Sequence, residues 1–167
     1  MRKKRLVSVE EIERVKIKTY SLAVKNHDHT DIKGSASAKM SIPYNFAVTY
    51  LTGKTGVDAF SPDVLNNISI RALAKKVIVE EDAQMTAVFP KETIASVEVY
   101  LKGGTILEGK SILPKGEPEN PLSDEEVIAK FIDLAIYGEK TFEEANKIVE
   151  TVMKLETELP LLLRLLR

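Results

Sequence analysis

Few residues in this chain are placed to do chemistry. His27 and His29 stand one residue apart with Asp28 between them and Asp31 close behind, and they are the only imidazoles present. A cluster of that composition can be written as a metal site. All of it falls in one short loop, however, and no second ligand group of recognisable spacing accompanies it, so no metal is expected and a solvated loop is the simpler reading. Imidazole acid–base chemistry has the same two candidates and no others. Gly53-Lys54-Thr55 resembles the end of a phosphate-binding loop, but that pattern needs a glycine five positions before Gly53, where Val48 stands, and it should follow a strand. A helix C-cap and turn accounts for the same residues, which ranks nucleotide binding third among the functional readings. Ser41 and Tyr44 make the remaining group. Ser41 can cap a helix whose unpaired N–H groups and dipole attract anions, and Tyr44, one turn in, could add a hydroxyl donor. Every helix has such an end, so plain capping stands beside anion binding.

The element that must position Ser41 and Tyr44 lies between Ser35 and Gly56. Pro43 falls in the first turn, where a missing N–H costs nothing, and Gly53 can close the far end. Tyr44, Val48 and Leu51, with Ala47, give that helix one apolar face. Upstream, Ser8-Val9-Glu10-Glu11 reads as a capping box and one helical turn that feeds a strand. From Glu13 to Lys25 the pattern alternates, Val15, Ile17 and Thr19 facing one way and Lys16, Lys18 and Tyr20 the other. Downstream, a second helical stretch runs through Leu65, Ile70, Leu73 and Ala74 to Lys75-Lys76. Val77-Ile78-Val79 is a short strand closed by Glu80-Glu81-Asp82, and these charged residues read as solvated element ends. After a turn at Phe89-Pro90-Lys91, residues Ala95 to Leu101 alternate cleanly, Gly103-Gly104 signals a hairpin, and Thr105 to Leu113 supplies the returning strand.

Pro114, Gly116, Pro118 and Pro121 crowd eight residues and mark the best boundary. Two helices follow, announced by capping boxes at Ser123-Asp124-Glu125-Glu126 and Thr141-Phe142-Glu143-Glu144. Their apolar faces are marked by Val127, Phe131 and Leu134, and by Phe142, Ala145, Val149 and Val152. The last nine residues hold six leucines, which need a surface to pack on.

The totals narrow the function classes. An apolar fraction of 44% and a charged fraction of 29% are ordinary for a globular protein, and a net charge of −1 argues against nucleic-acid and membrane-surface partners. The one basic run, Arg2-Lys3-Lys4-Arg5, weighs little. With no cysteine, disulfides, thiolate metal sites and cysteine nucleophiles are excluded together. No run of apolar residues suggests a leader or a span, so the cytoplasm is expected.

Three segments, taken together, resemble the carboxy-terminal region of the MmgE/PrpD family, the 2-methylcitrate dehydratase-like proteins. The first is Ala38-Lys39-Met40-Ser41-Ile42-Pro43-Tyr44 with Ala47 and Leu51-Thr52-Gly53. The second is Leu73-Ala74-Lys75-Lys76-Val77, followed by Phe89-Pro90 and the hairpin. The most specific runs from Pro114-Lys115-Gly116-Glu117-Pro118 through Asn120-Pro121-Leu122-Ser123 to Lys130-Phe131. The resemblance implies a small α+β domain over residues 1–118, a mainly antiparallel sheet with flanking helices, and a C-terminal helical segment over 119–167 that packs on a helical domain. It implies no cofactor. It also implies chemistry on di- or tricarboxylic acids, dehydration, decarboxylation or epimerisation through a carbanion beside carboxylates, which needs a general base or acid and cationic groups.

In the family most of those groups come from the helical domain, and this sequence begins after the stretch that carries them. Tyr44 matches a family tyrosine that faces the substrate and is the catalytic candidate; Ser41 beside it is the substrate-binding candidate. The first reading is therefore a C-terminal domain or split subunit, inactive alone, whose partner is the helical N-terminal half and whose substrate is a small carboxylic acid. The second is a non-catalytic domain that forms a homo-oligomer through its apolar tail.

Overall fold

The computed structural model describes residues 7–165, apart from the side chains of residues 157 and 158. The basic run at residues 2–5 and the final leucine, Leu166, lie outside them. The chain divides into two compact units, one through Asn120 and one from Pro121.

The first unit is built on a four-stranded mixed sheet in the order β2-β1-β3-β4. The strands are β1 (Ile12–Thr19), β2 (Val77–Glu81), β3 (Ala95–Leu101) and β4 (Ile106–Ser111). Ladders β1–β3 and β3–β4 are antiparallel, as the hairpin requires, and β1–β2 is parallel, with Val15 opposite Val77. Val15, Ile17 and Thr19 are buried, as their alternation predicts. Ile12 joins them out of phase because the β1–β3 register shifts between Ile12 and Arg14, a bulge that resets the period. The strand stops at Thr19, well before Lys25, where the chain turns into the short helix α1 (Ser21–Val24). Ser8 to Glu11 form a turn, closed from the Ser8 N–H to Glu11 Oε2 at 3.1 Å, rather than a turn of helix.

Helices α2 (Ser35–Lys39), α3 (Ile42–Thr52), α4 (Pro62–Leu65) and α5 (Ile68–Ala74), with a 3-10 turn at Val57–Phe60, connect β1 to β2. Such a crossover is what a parallel pair demands, since no tight turn can return the chain in the same direction. Tyr44, Ala47 and Val48 of α3 and Ile70, Leu73 and Ala74 of α5 join the strand residues in one buried core. A helix absent from the sequence expectations, α6 (Ala83–Val88), follows β2. Its signal was present: Asp82 Oδ1 accepts from the N–H groups of Gln84 and Met85 at 2.9 and 3.0 Å.

The second unit holds α7 (Asp124–Tyr137), α8 (Phe142–Val152) and α9 (Leu155–Leu165). Both capping boxes form. The faces differ from those expected: Val127, Leu134, Phe142 and Val152 are exposed, and the side chains α8 buries are Ala145, Ile148 and Thr151. α7 fully buries none of its residues, and α8 turns inward the stripe through Ala145, Ile148 and Thr151, of which Ala145 was expected. Among the described residues no helix is long and apolar enough to cross a membrane.

Candidate functional site

Helix α3 starts where its sequence says it should. Ser41 is its N-cap; the Ser41 hydroxyl accepts from the Tyr44 N–H at 3.1 Å and donates to the His29 carbonyl at 2.6 Å. The Ile42 N–H donates to the His27 carbonyl at 2.8 Å, and Pro43 has no N–H to offer. The chain itself thus occupies the helix end, and the loop from His27 to His29 is laced to it. Asn45 Nδ2 reinforces the cap by donating to the Ser41 carbonyl at 2.7 Å and the Ala38 carbonyl at 3.1 Å. At the far end Gly53, with φ of 71°, is the left-handed cap, its N–H on the Thr49 carbonyl at 2.9 Å. Lys54 pairs with Asp58 at 3.1 Å, so the Gly-Lys-Thr segment is a helix exit tied down by its own side chains.

Tyr44 and Ser41 are brought together and both are fully buried. Tyr44 Oη donates to the Ala59 carbonyl at 2.8 Å, and its ring lies 6.0 Å from that of Phe60. Burial raises the phenol above its usual 10.0, with the positive charge of Arg71 opposing the shift, so the hydroxyl keeps its proton throughout the neutral range. A group in that state donates a hydrogen bond or a proton; it does not abstract one.

The two histidines are not brought to a common point. His29 sits between two main-chain oxygens, Nδ1 3.1 Å from the Asn26 carbonyl and Nε2 3.1 Å from that of Ser37. A neutral ring can donate to one of these and an imidazolium to both. His27 Nδ1 is buried with no hydrogen-bond partner among the described residues. Asp31 pairs with Lys33 at 3.6 Å in solvent.

Two constellations escaped the sequence. Lys76, expected to be solvated, donates from Nζ to the carbonyls of Val9 and Ile12 at 2.8 and 2.6 Å and staples the entry of β1 to the start of β2. On the outer sheet face the Arg14 guanidinium lies 4.1 Å from the centre of the Tyr100 ring, while the Tyr100 hydroxyl donates to Glu98. That bond raises the Tyr100 phenol first and partial burial adds to it. Only the strand register brings Arg14 opposite Tyr100, so no local pattern announces the pair.

A mixed sheet with one parallel crossover, a capped helix that buries Ser41 and Tyr44, and a hairpin at the far edge define a small α+β domain. The chain belongs to the MmgE/PrpD C-terminal domain family, whose model matches residues 1–155. No curated protein matches it.

Proposed function

We propose that this chain is the C-terminal domain, or a separately encoded subunit, of a cofactor-independent lyase or isomerase that acts on di- or tricarboxylic acids in the manner of 2-methylcitrate dehydratase. The observation that carries the reading is the family match over residues 1–155. A helical N-terminal half is the proposed partner, supplying the base and most of the cationic groups that carbanion chemistry beside carboxylates requires. Tyr44 is the proposed catalytic residue, a protonated phenol that donates to the developing charge. Ser41 is proposed to bind substrate through the helix end it caps. Both hydroxyls are buried and bonded to main-chain carbonyls, so these roles require the loop at residues 27–34 and the turn at Val57–Phe60 to shift when substrate arrives. The proposed location is the cytoplasm.

On this reading the purified chain turns over neither 2-methylcitrate nor cis-aconitate, and activity appears when a helical MmgE/PrpD half is co-expressed. Tyr44→Phe then lowers kcat of the pair while the complex still assembles. Turnover by the chain alone defeats the split-site reading.

The exposed leucines of α9, Leu159 and Leu163, favour a second reading, a non-catalytic domain that self-associates through its tail. Removing residues 155–167 abolishes association if it is correct.

A further inference from the structure

We infer that β4 is a self-recognising edge: two copies of this chain join their sheets by pairing β4 with β4 in antiparallel register about Gly109. The inference stands apart from the activity proposed above and from the tail. β4 is the terminal strand of the order β2-β1-β3-β4, and all six of its residues are exposed. Its outward main-chain groups can be assigned. The Leu101 N–H donates to the Thr105 carbonyl at 2.9 Å, so that pair is a hydrogen-bonded one. Stepping by two along the register that sets Val99 opposite Leu107 and Val97 opposite Gly109, residues 107, 109 and 111 bond to β3. Ile106, Glu108 and Lys110 therefore direct their N–H and C=O groups away from the sheet.

Side chains decide which pairing those groups would make. Ile106, Glu108 and Lys110 share one face; the strand ends at Ser111, past which Ile112 turns its carbonyl inward to accept from the Thr93 N–H at 3.1 Å. The pattern Glu108-Gly109-Lys110 is complementary to its own reverse. With a two-fold axis at Gly109, each Glu108 meets the second copy's Lys110. The pairs Glu108–Lys110 then fall on the outward-directed residues, as the hydrogen-bond parity requires. Moving the axis to Glu108 keeps the parity but sets Glu108 against Glu108 and Ile106 against Lys110, so charge selects the first register. Gly109 leaves the axis open, bordering a groove of about 360 Å³ lined also by Ser96, Val97, Glu98, Glu108 and Lys110. The opposite edge lacks this property: β2 ends in Glu80 and Glu81, and no cation of its own strand answers them.

Sedimentation of the full chain tests the inference with charge variants. The wild-type chain shows a concentration-dependent dimer. Lys110→Glu and Glu108→Lys each set like charges opposite one another twice per interface and weaken the dimer about tenfold or more. Mixing the two single variants, or combining both substitutions in one chain, restores opposite charges across the axis and recovers association. A wild-type chain that stays monomeric overturns the inference. So does a dimer that Lys110→Glu leaves unchanged, which places association on another surface, or two single variants that fail to associate when mixed.

Discussion

In the sheet unit Ile12, Val15, Tyr44, Val48, Ile70 and Leu73 are shielded to within a percent or so of full burial, and strands and helices far apart in sequence meet there. Among the described residues the helical unit buries only Ala145, Ile148 and Thr151 to a comparable degree, and Leu162 less completely, and leaves Val127, Leu134, Tyr137, Phe142, Met153 and Leu163 in solvent. The contrast separates two sources of order. The first unit is held by burial of apolar area across long sequence distances, worth about 25 cal/mol per Å². The helices of the second are specified mainly by local devices, above all the two capping boxes, and a unit so small cannot enclose much of its own apolar surface. Its uncovered stripes are the physical reason to look for a partner on that side of the chain.

Core truncation tests the contrast most severely. Leu73→Ala is expected to cost about 3 kcal/mol, within the usual 2–5 for a sealed leucine, measured by urea unfolding. Ile148→Ala should cost clearly less, because the few helices around it leave most of their apolar stripes in water and can close on the space; equal losses would break the comparison. Next comes Lys76→Met, which strips two carbonyls of their donor and should cost about 1–3 kcal/mol with faster amide exchange around Val9 to Ile12, whereas Lys75→Met changes little. Tyr44→Phe should cost about 1 kcal/mol at neutral pH. Because the folded phenol titrates above its unfolded value of 10.0, the stability it contributes is whole below that pH and is lost as pH rises through the folded value. The wild-type chain should therefore lose more stability above pH 10 than Tyr44→Phe does. The smallest effect is expected at Thr141→Ala. Bonds from the Thr141 N–H, then its hydroxyl, hold Glu144 below its usual 4.5, so the cap's contribution is present above that value and fades as pH falls; helicity of the wild type should drop more on acidification than that of the variant.

Local signals are legible where the physics is local. Ser41, Pro43 and Gly53 bracket α3 because a cap, a ring without an N–H and a left-handed glycine each act within one turn. The hairpin at Gly103-Gly104 and the strand from Ala95 to Leu101 follow for the same reason. Asp82 caps α6 from the end of a run of three acidic residues, where surrounding charge masks the cap signal. Lys76 could not be read at all, since its partners lie 64 and 67 residues away.

The candidate site divides in the same manner. Sequence alone put Ser41 at a helix start and Tyr44 one turn inside it, and it determined the α+β class through alternation, caps and turns. Only the tertiary structure decided that Tyr44 would bond to Ala59, that Ser41 would hold the His27–His29 loop, that β1 would run parallel to β2, and which leucines and isoleucines would stay in water. Caps and turns are settled by atoms a few residues apart, whereas a carbonyl partner or a covered face depends on which distant segment arrives, and that is fixed by the packing of the whole core.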